Sequence, residues 1–229
     1  NDRWREVSYS NRRNAWRYNG QNYVPKTSAD DTDTSHVQFY AYSTESKLSA
    51  LQTAVNNFID ATAQQNDAIT DTNKRHQIAL VKFASDKRDT VGDDKNNRGY
   101  NYTQIVSNLT AYSSSTTGSI KNTVNSFDAA GATSADYAME HAATVLNGAR
   151  EDSKKIVNFF TDGEPNHGNG FDDTVAKDAV SKAKELKDAG TTIYTIGVFE
   201  DADPSDTTSD DFNKYMHGVS SNYPNATSF

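Results

Sequence analysis

The stretch "NFFTDGEPNHG", residues 158–168, decides the fold. It closes "KKIVNFF" (154–160), an apolar run of strand length that stops abruptly at Thr161-Asp162-Gly163-Glu164-Pro165. Gly163 allows a sharp turn, and Pro165 cannot carry a strand onward. Asp162 therefore stands at the carboxyl end of an apolar strand. Taken alone, Asp-Gly-x-Pro is also ordinary turn chemistry.

Working outward, "DDTVAKDAVSKAKELKDAG" (172–190) places Ala176, Ala179, Val180, Ala183 and Leu186 on one helical face and ends at Gly190. "TTIYTIGVF" (191–199) reads as a further strand, and "SDDFNKYMHGV" (209–219) as a short helix. Upstream, "SADYAMEHAATVLNG" (134–148) is a helix stopped by Gly148, and "HQIALVKFA" (76–84) is a strand. From Lys47, the residues Leu48, Leu51, Val55, Phe58 and Ile59 form one stripe on a helix of roughly five turns. Residues 85–116 are polar and read as loops, with one strand near Ile105 to Tyr112. Strands and helices in alternation predict an α/β fold, a mostly parallel sheet covered by helices on both faces.

Residues 1–46 differ. They hold Trp4 and Trp16, five tyrosines, and Arg3, Arg5, Arg12, Arg13 and Arg17 against Asp2 and Glu6. Asn19-Gly20 is a hairpin-turn signal between aromatic flanks. A polar acidic stretch, "KTSADDTDTS" (26–35), precedes the strand-like "HVQFYAY" (36–42). This part predicts a β-rich insertion or arm, with 47–229 as the α/β domain. Arginine beside Trp and Tyr suits stacking on bases or sugars. The plainer reading is an arm whose arginines are solvated or paired.

The whole chain of 229 residues carries a net charge of −8 and no cysteine. The acidic balance argues against nucleic acid and anionic membrane as partners. The lack of cysteine excludes disulfides, thiolate zinc sites and cysteine nucleophiles. No apolar run approaches the roughly 20 residues that span a bilayer. The sequence has no P-loop and no glycine-rich dinucleotide fingerprint. The sequons at Asn101, Asn108 and Asn225 are of a kind expected by chance in a chain so rich in Asn, Ser and Thr. His167 lies near Asp162 in sequence, but solvent exposure is its expected state.

In an open α/β sheet, ligands bind outside the carboxyl ends of the strands. Asp162 is one candidate there. The second is Thr133, in "GATSADYAM" (131–139), at the start of a helix. Thr133 or Ser134 also suits a plain helix N-cap. As a pair, a hydroxyl and a carboxylate at two loop mouths are oxygen ligands suited to a hard divalent cation.

"KLSALQTAVNNFID" (47–60), "GATSADYAMEHA" (131–142), "IVNFFTDGEP" (156–165) and "GTTIYTIGVF" (190–199) occur in the order of a von Willebrand factor type A domain. Over residues 47–229 the chain resembles the version found in tip adhesins and other surface proteins of Gram-positive bacteria. The resemblance implies a Rossmann-like, doubly wound fold and a metal-ion-dependent adhesion site. Three loops build such a site: an Asp-x-Ser-x-Ser motif after the first strand, a Thr on the second loop and an Asp on the third. By motif match Thr133 and Asp162 are the second-loop and third-loop residues. The implied ion is Mg²⁺ or Mn²⁺, bridging to an acidic group of a host or matrix protein outside the cell, with other pilus or surface subunits as further partners.

The Asp-x-Ser-x-Ser motif is absent from the sequence. Two expectations compete. In the first, the chain starts just after that motif, the first strand and its ligands lie upstream, and 1–46 is an insertion beside the site. In the second, "HVQFYAY" is itself the first strand and the site is degenerate. Two further functional classes stay open: a metal-dependent hydrolase of Rossmann-like fold using Asp162, and a metal-free scaffold for assembly.

Overall fold

A computed structural model describes residues 46–168, 170–197 and 211–223, together with the backbone of short strands at 2–6, 8–10, 15–18, 21–23 and 40–44. The chain divides into two compact units, Asn1–Ala50 and Leu51–Phe229.

In the first unit, β1 (Asp2–Glu6) pairs antiparallel with β5 (Tyr40–Thr44). Between them, β2 (Ser8–Ser10), β3 (Ala15–Tyr18) and β4 (Gln21–Tyr23) form an antiparallel meander. Tyr18 stands opposite Gln21, the register that a two-residue loop at Asn19-Gly20 requires. The turn itself lies outside the described residues. The arm is β-rich as expected. Tyr40 to Tyr42, the end of "HVQFYAY", lie in β5 and pair with β1, while 36–39 are outside the described residues.

In the second unit, α1 (Lys47–Asp67) leads into β6 (Ile78–Lys82). β8 (Thr103–Thr110) pairs antiparallel with β6, and the short β7 (Lys87–Arg88) pairs parallel with β8. Then follow α2 (Gly118–Ser126), α3 (Ala135–Asn147), β9 (Ile156–Thr161), α4 (Asp173–Asp188), β10 (Thr192–Gly197) and α5 (Asp211–Val219). β9 and β10 are parallel and in register from Ile156–Thr192 to Thr161–Gly197. Residues 198–210 lie outside the described residues, so the expected end of the last strand at Val198-Phe199 does too.

Among the described residues, two apolar clusters form the core. One joins α3, α4 and α5 to β9 and β10 through Met139, Val180, Phe159, Ile193 and Tyr215. The other joins α1 to α2 through Ile59, Ile120 and Val124, with Ile78 and Leu80 of β6 packed on it. Asp172 caps α4, accepting from the backbone N–H of Thr174 at 2.8 Å and of Val175 at 3.3 Å.

Burial departs from the expectation of strands enclosed on both faces. In β9, Phe159 and Thr161 are buried, while Ile156 and Asn158 are exposed. Tyr194 and Ile196 of β10 are exposed as well. The α3–α4–α5 cluster covers one face of this strand pair, and strand residues alternate between faces.

The order of the strands explains a second departure. Among the described residues β9 bonds only to β10, and β6 is the outer strand of the β6–β8–β7 sheet. Residues 133 and 134 bond to the segments that follow each of these strands. Thr133 exchanges two backbone bonds with Asn166, at 3.1 and 2.9 Å, on the β9 side. Ser134 donates its N–H to Ala84 O at 2.9 Å on the β6 side. The rings of Phe83 and Phe159 stack, 5.1 Å between centroids.

Candidate functional site

The site is built where three segments meet at the carboxyl ends of β6 and β9. Thr133 comes from the loop before α3, Asp162 from the bend after β9, and Ser85 from the residues after β6.

The Thr133–Asn166 bridge ties the loop before α3 to the loop after β9. Thr161 fixes the bend, its Oγ1 donating to Gly163 O at 3.1 Å. A Cβ added to Gly163 would stand 2.8 Å from Thr133 Oγ1. The Thr133 hydroxyl therefore lies against the residue that follows Asp162. Glycine at 163 is what permits this approach. A similar constraint acts at Gly131, whose φ is +125°. A Cβ there would meet Ser85 Oγ at 2.5 Å. Ser85 Oγ in turn accepts from Ala132 N at 3.3 Å.

Asp162 is exposed, and Thr133 is half-buried. No hydrogen bond or ion pair within the described residues engages the Asp162 carboxylate or the Thr133 hydroxyl. Both sequence-predicted residues thus sit on adjoining loops with their oxygens uncommitted. That suits two positions in an oxygen shell around a hard cation. Among the described residues no group of three or more His, Asp or Glu is placed to hold a metal ion. A full shell needs oxygens from elsewhere.

Three further residues belong here, of which Ser134 was expected only as a possible N-cap. Ser134 heads α3 but makes no side-chain cap bond. Its Oγ is buried, at 1 % residue exposure, and has no partner among the described residues. Asn166 supplies the bridge, and Ser85 steadies Ala132. Asn166 and Ser85 each act on a residue more than 30 positions away, so no local motif marks them. His167 is turned aside: its Nε2 meets Asp136 Oδ1 at 3.0 Å, and its ring stacks on Tyr137 at 4.7 Å. Both line a groove of about 390 Å³ with Glu140, Asp178 and Lys182. Burial is the main cause that raises the Tyr137 phenol above its ordinary range, with Asp136, Glu140 and Asp86 adding to it.

The von Willebrand factor type A domain model matches residues 43–225. Two crystal structures of the pilus adhesin SpaC from Lactobacillus rhamnosus GG are similar in fold. One aligns with TM-score 0.53 at 17 % identity, covering 77 % of this chain and 25 % of that one. The other, in an open conformation, aligns with TM-score 0.52 at 18 % identity, covering 76 % and 24 %. The chain thus spans about a quarter of the length of SpaC. No curated protein matches it. With the family model covering most of its length, and an α/β body of the expected alternation, the chain belongs to the von Willebrand factor type A domain family.

Proposed function

We propose that the chain is a binding module and not an enzyme: the adhesion domain of a bacterial cell-surface or pilus protein. It captures an acidic group of a host or matrix protein through a divalent cation held in part by Thr133 and Asp162. The observation that carries this reading is the pair itself. A hydroxyl and a carboxylate, neither with a partner among the described residues, lie on two loops pinned together at the carboxyl end of β9.

Thr133 offers a neutral oxygen and Asp162 an anionic one, the donor types that Mg²⁺ or Mn²⁺ prefers. A bound ion supplies the positive charge that attracts a partner's carboxylate. Gly163 leaves room for the Thr133 hydroxyl, and the bridge to Asn166 holds the two loops in register. The remaining oxygens come from water, the partner and residues other than these two. The fold shared with a pilus adhesin supports an extracellular setting, with other pilus subunits as a second class of partner. The acidic composition favours neither nucleic acid nor membrane.

Calorimetric titration with Mg²⁺ and Mn²⁺ tests the reading on two proteins: this chain, and the polypeptide extended upstream. The expected result is binding in the longer protein, abolished by Asp162→Ala and weakened by Thr133→Ala. Absence of binding in both rejects metal bridging and leaves the metal-free scaffold ahead.

A further inference from the structure

Asp162 and Gly163 form the one Asp-Gly pair in the sequence. Such a pair can react within itself. Closing a five-membered ring brings the backbone nitrogen of the glycine onto Cγ of the aspartate, and proximity within one chain replaces a second reactant. An N–Cγ bond forms, and the amide hydrogen leaves with the carboxyl hydroxyl as water. The product is a succinimide. Water then opens the ring at one of its two carbonyls. One opening restores aspartate. The other gives isoaspartate, whose main chain runs through Cβ and Cγ and whose carboxylate sits directly on Cα. The water lost in the first step is regained in the second, so solvent is the only co-reactant.

A fold suppresses this reaction by pinning the carboxylate, by holding the next N–H in regular structure, or by crowding the approach with a Cβ. Asp162 has none of these among the described residues. It is exposed in the bend after β9, and its carboxylate is not engaged. The Gly163 N–H donates to the Thr161 hydroxyl at 3.3 Å, longer than a usual N–H···O bond, and not to a helix or strand carbonyl. Asn147-Gly148 is the contrast, a pair of the same reactive kind. There the Gly148 N–H is held by the Val145 carbonyl at 3.1 Å, at the end of α3. A larger residue at 163 would obstruct the attack, but a Cβ there would stand 2.8 Å from Thr133 Oγ1. The close approach that sets Thr133 beside the bend thus demands the glycine that leaves Asp162 open.

We propose that Asp162 is a site of spontaneous covalent modification, isomerising through the succinimide to isoaspartate while the chain stays folded. The change adds one carbon to the main chain between Thr161 and Gly163 and draws the carboxylate back to Cα. The bend must lengthen to take it. Gly163 then moves from the Thr161 hydroxyl and from Thr133, and the loop that Asn166 pins to Thr133 moves with it. A cation on the carboxylate would hold its oxygens and keep Cγ from the attacking nitrogen. Only this protection rests on the proposed metal site.

The test ages residues 1–229 in EDTA at 37 °C beside a free peptide of residues 156–168. Isoaspartate is located by mass spectrometry with electron-transfer fragmentation, which cleaves its backbone differently from that of aspartate. Isomerisation leaves the mass unchanged and deamidation of asparagine raises it, so the Asn-Gly pairs do not interfere. Isoaspartate is expected at Asp162 in the folded chain at a rate within about threefold of the peptide's, since an exposed bend opens at little cost. Asp162→Glu keeps a carboxylate but requires a six-membered ring, and is expected to form none. The Thr133 and Asn166 amides are expected to exchange faster with deuterium in the aged chain than in the fresh one. Isoaspartate in the peptide but not in the folded chain overturns the proposal. Unchanged exchange at Thr133 and Asn166 overturns its structural consequence. In the upstream-extended protein Mn²⁺ is expected to slow the reaction, and an equal rate with and without Mn²⁺ overturns the protection alone. The readings in EDTA are metal-free, so failure of the metal titration leaves them standing.

Discussion

Thr133 and Asn166 exchange both of their backbone hydrogen bonds, at 3.1 and 2.9 Å, although 33 residues separate them. This bridge sets the Thr133 hydroxyl against Gly163, where a Cβ would stand only 2.8 Å away. Gly163→Ala is therefore expected to displace the hydroxyl while leaving the core intact. In the upstream-extended protein, Mn²⁺ affinity should fall about 10- to 100-fold, the range seen when the supports of metal ligands are disturbed. The far-ultraviolet circular dichroism should not change. Unaltered affinity would separate Thr133 from the ion.

The site was only half legible in the sequence, and the reason is physical. Thr133 and Asp162 each follow or precede a strong periodic element, so their place at a strand or helix end is written locally. Ser85, Asn166 and the unpartnered Ser134 hydroxyl acquire meaning only from chain segments brought together by folding. The same distinction applies to the fold. α4 was readable because Ala176, Val180 and Ala183 recur at helical spacing. α2 was not expected, because "GSIKNTVNS" is rich in Ser, Asn and Thr, all weak helix formers. Its apolar content is Ile120 and Val124, and their burial against Ile59 of α1 stabilises the helix from outside.

Phe159 is the hinge of the larger core. Its ring stacks on Phe83 at 5.1 Å and meets Tyr215 edge-on at 6.4 Å. Phe159→Ala is expected to lower unfolding free energy by about 3–5 kcal/mol, read from urea titration. Phe83→Ala removes a ring that is only partly buried, so a smaller loss is expected.

His217 makes stability depend on pH. Burial holds its imidazole below the ordinary histidine range, and its ring stacks on Tyr223 at 3.7 Å. A depressed folded value means that the unfolded chain binds the proton more readily. The contribution is complete above the unfolded value of about 6.5 and is lost as pH falls through the folded value. Tm is expected to drop between pH 7 and pH 5, and to drop less in His217→Phe, which keeps the stack but cannot titrate. Identical pH slopes for the two proteins would assign the effect to other groups.

Asn66, fully buried near the end of α1, ties three segments together. Its Nδ2 donates to His76 O at 2.9 Å and to Tyr112 O at 2.8 Å, and its Oδ1 accepts from His76 N at 2.7 Å. Every polar atom of the side chain is thereby engaged, and both segments are locked to the helix. Asn66→Asp keeps the shape but sets a carboxylate oxygen against two carbonyl oxygens. Burial and that repulsion raise the carboxyl above the usual range in the folded state, so folding favours the protonated form. The penalty relative to Asn66 should then be smallest at low pH and grow as pH rises through the folded value. Urea unfolding of both proteins at pH 4.5 and pH 7.5 measures it. A penalty of at least about 2 kcal/mol at the higher pH, shrinking at the lower, is expected from lost bonds to a buried amide. A penalty that does not change with pH would mean that the side chain leaves its pocket and takes its charge to water.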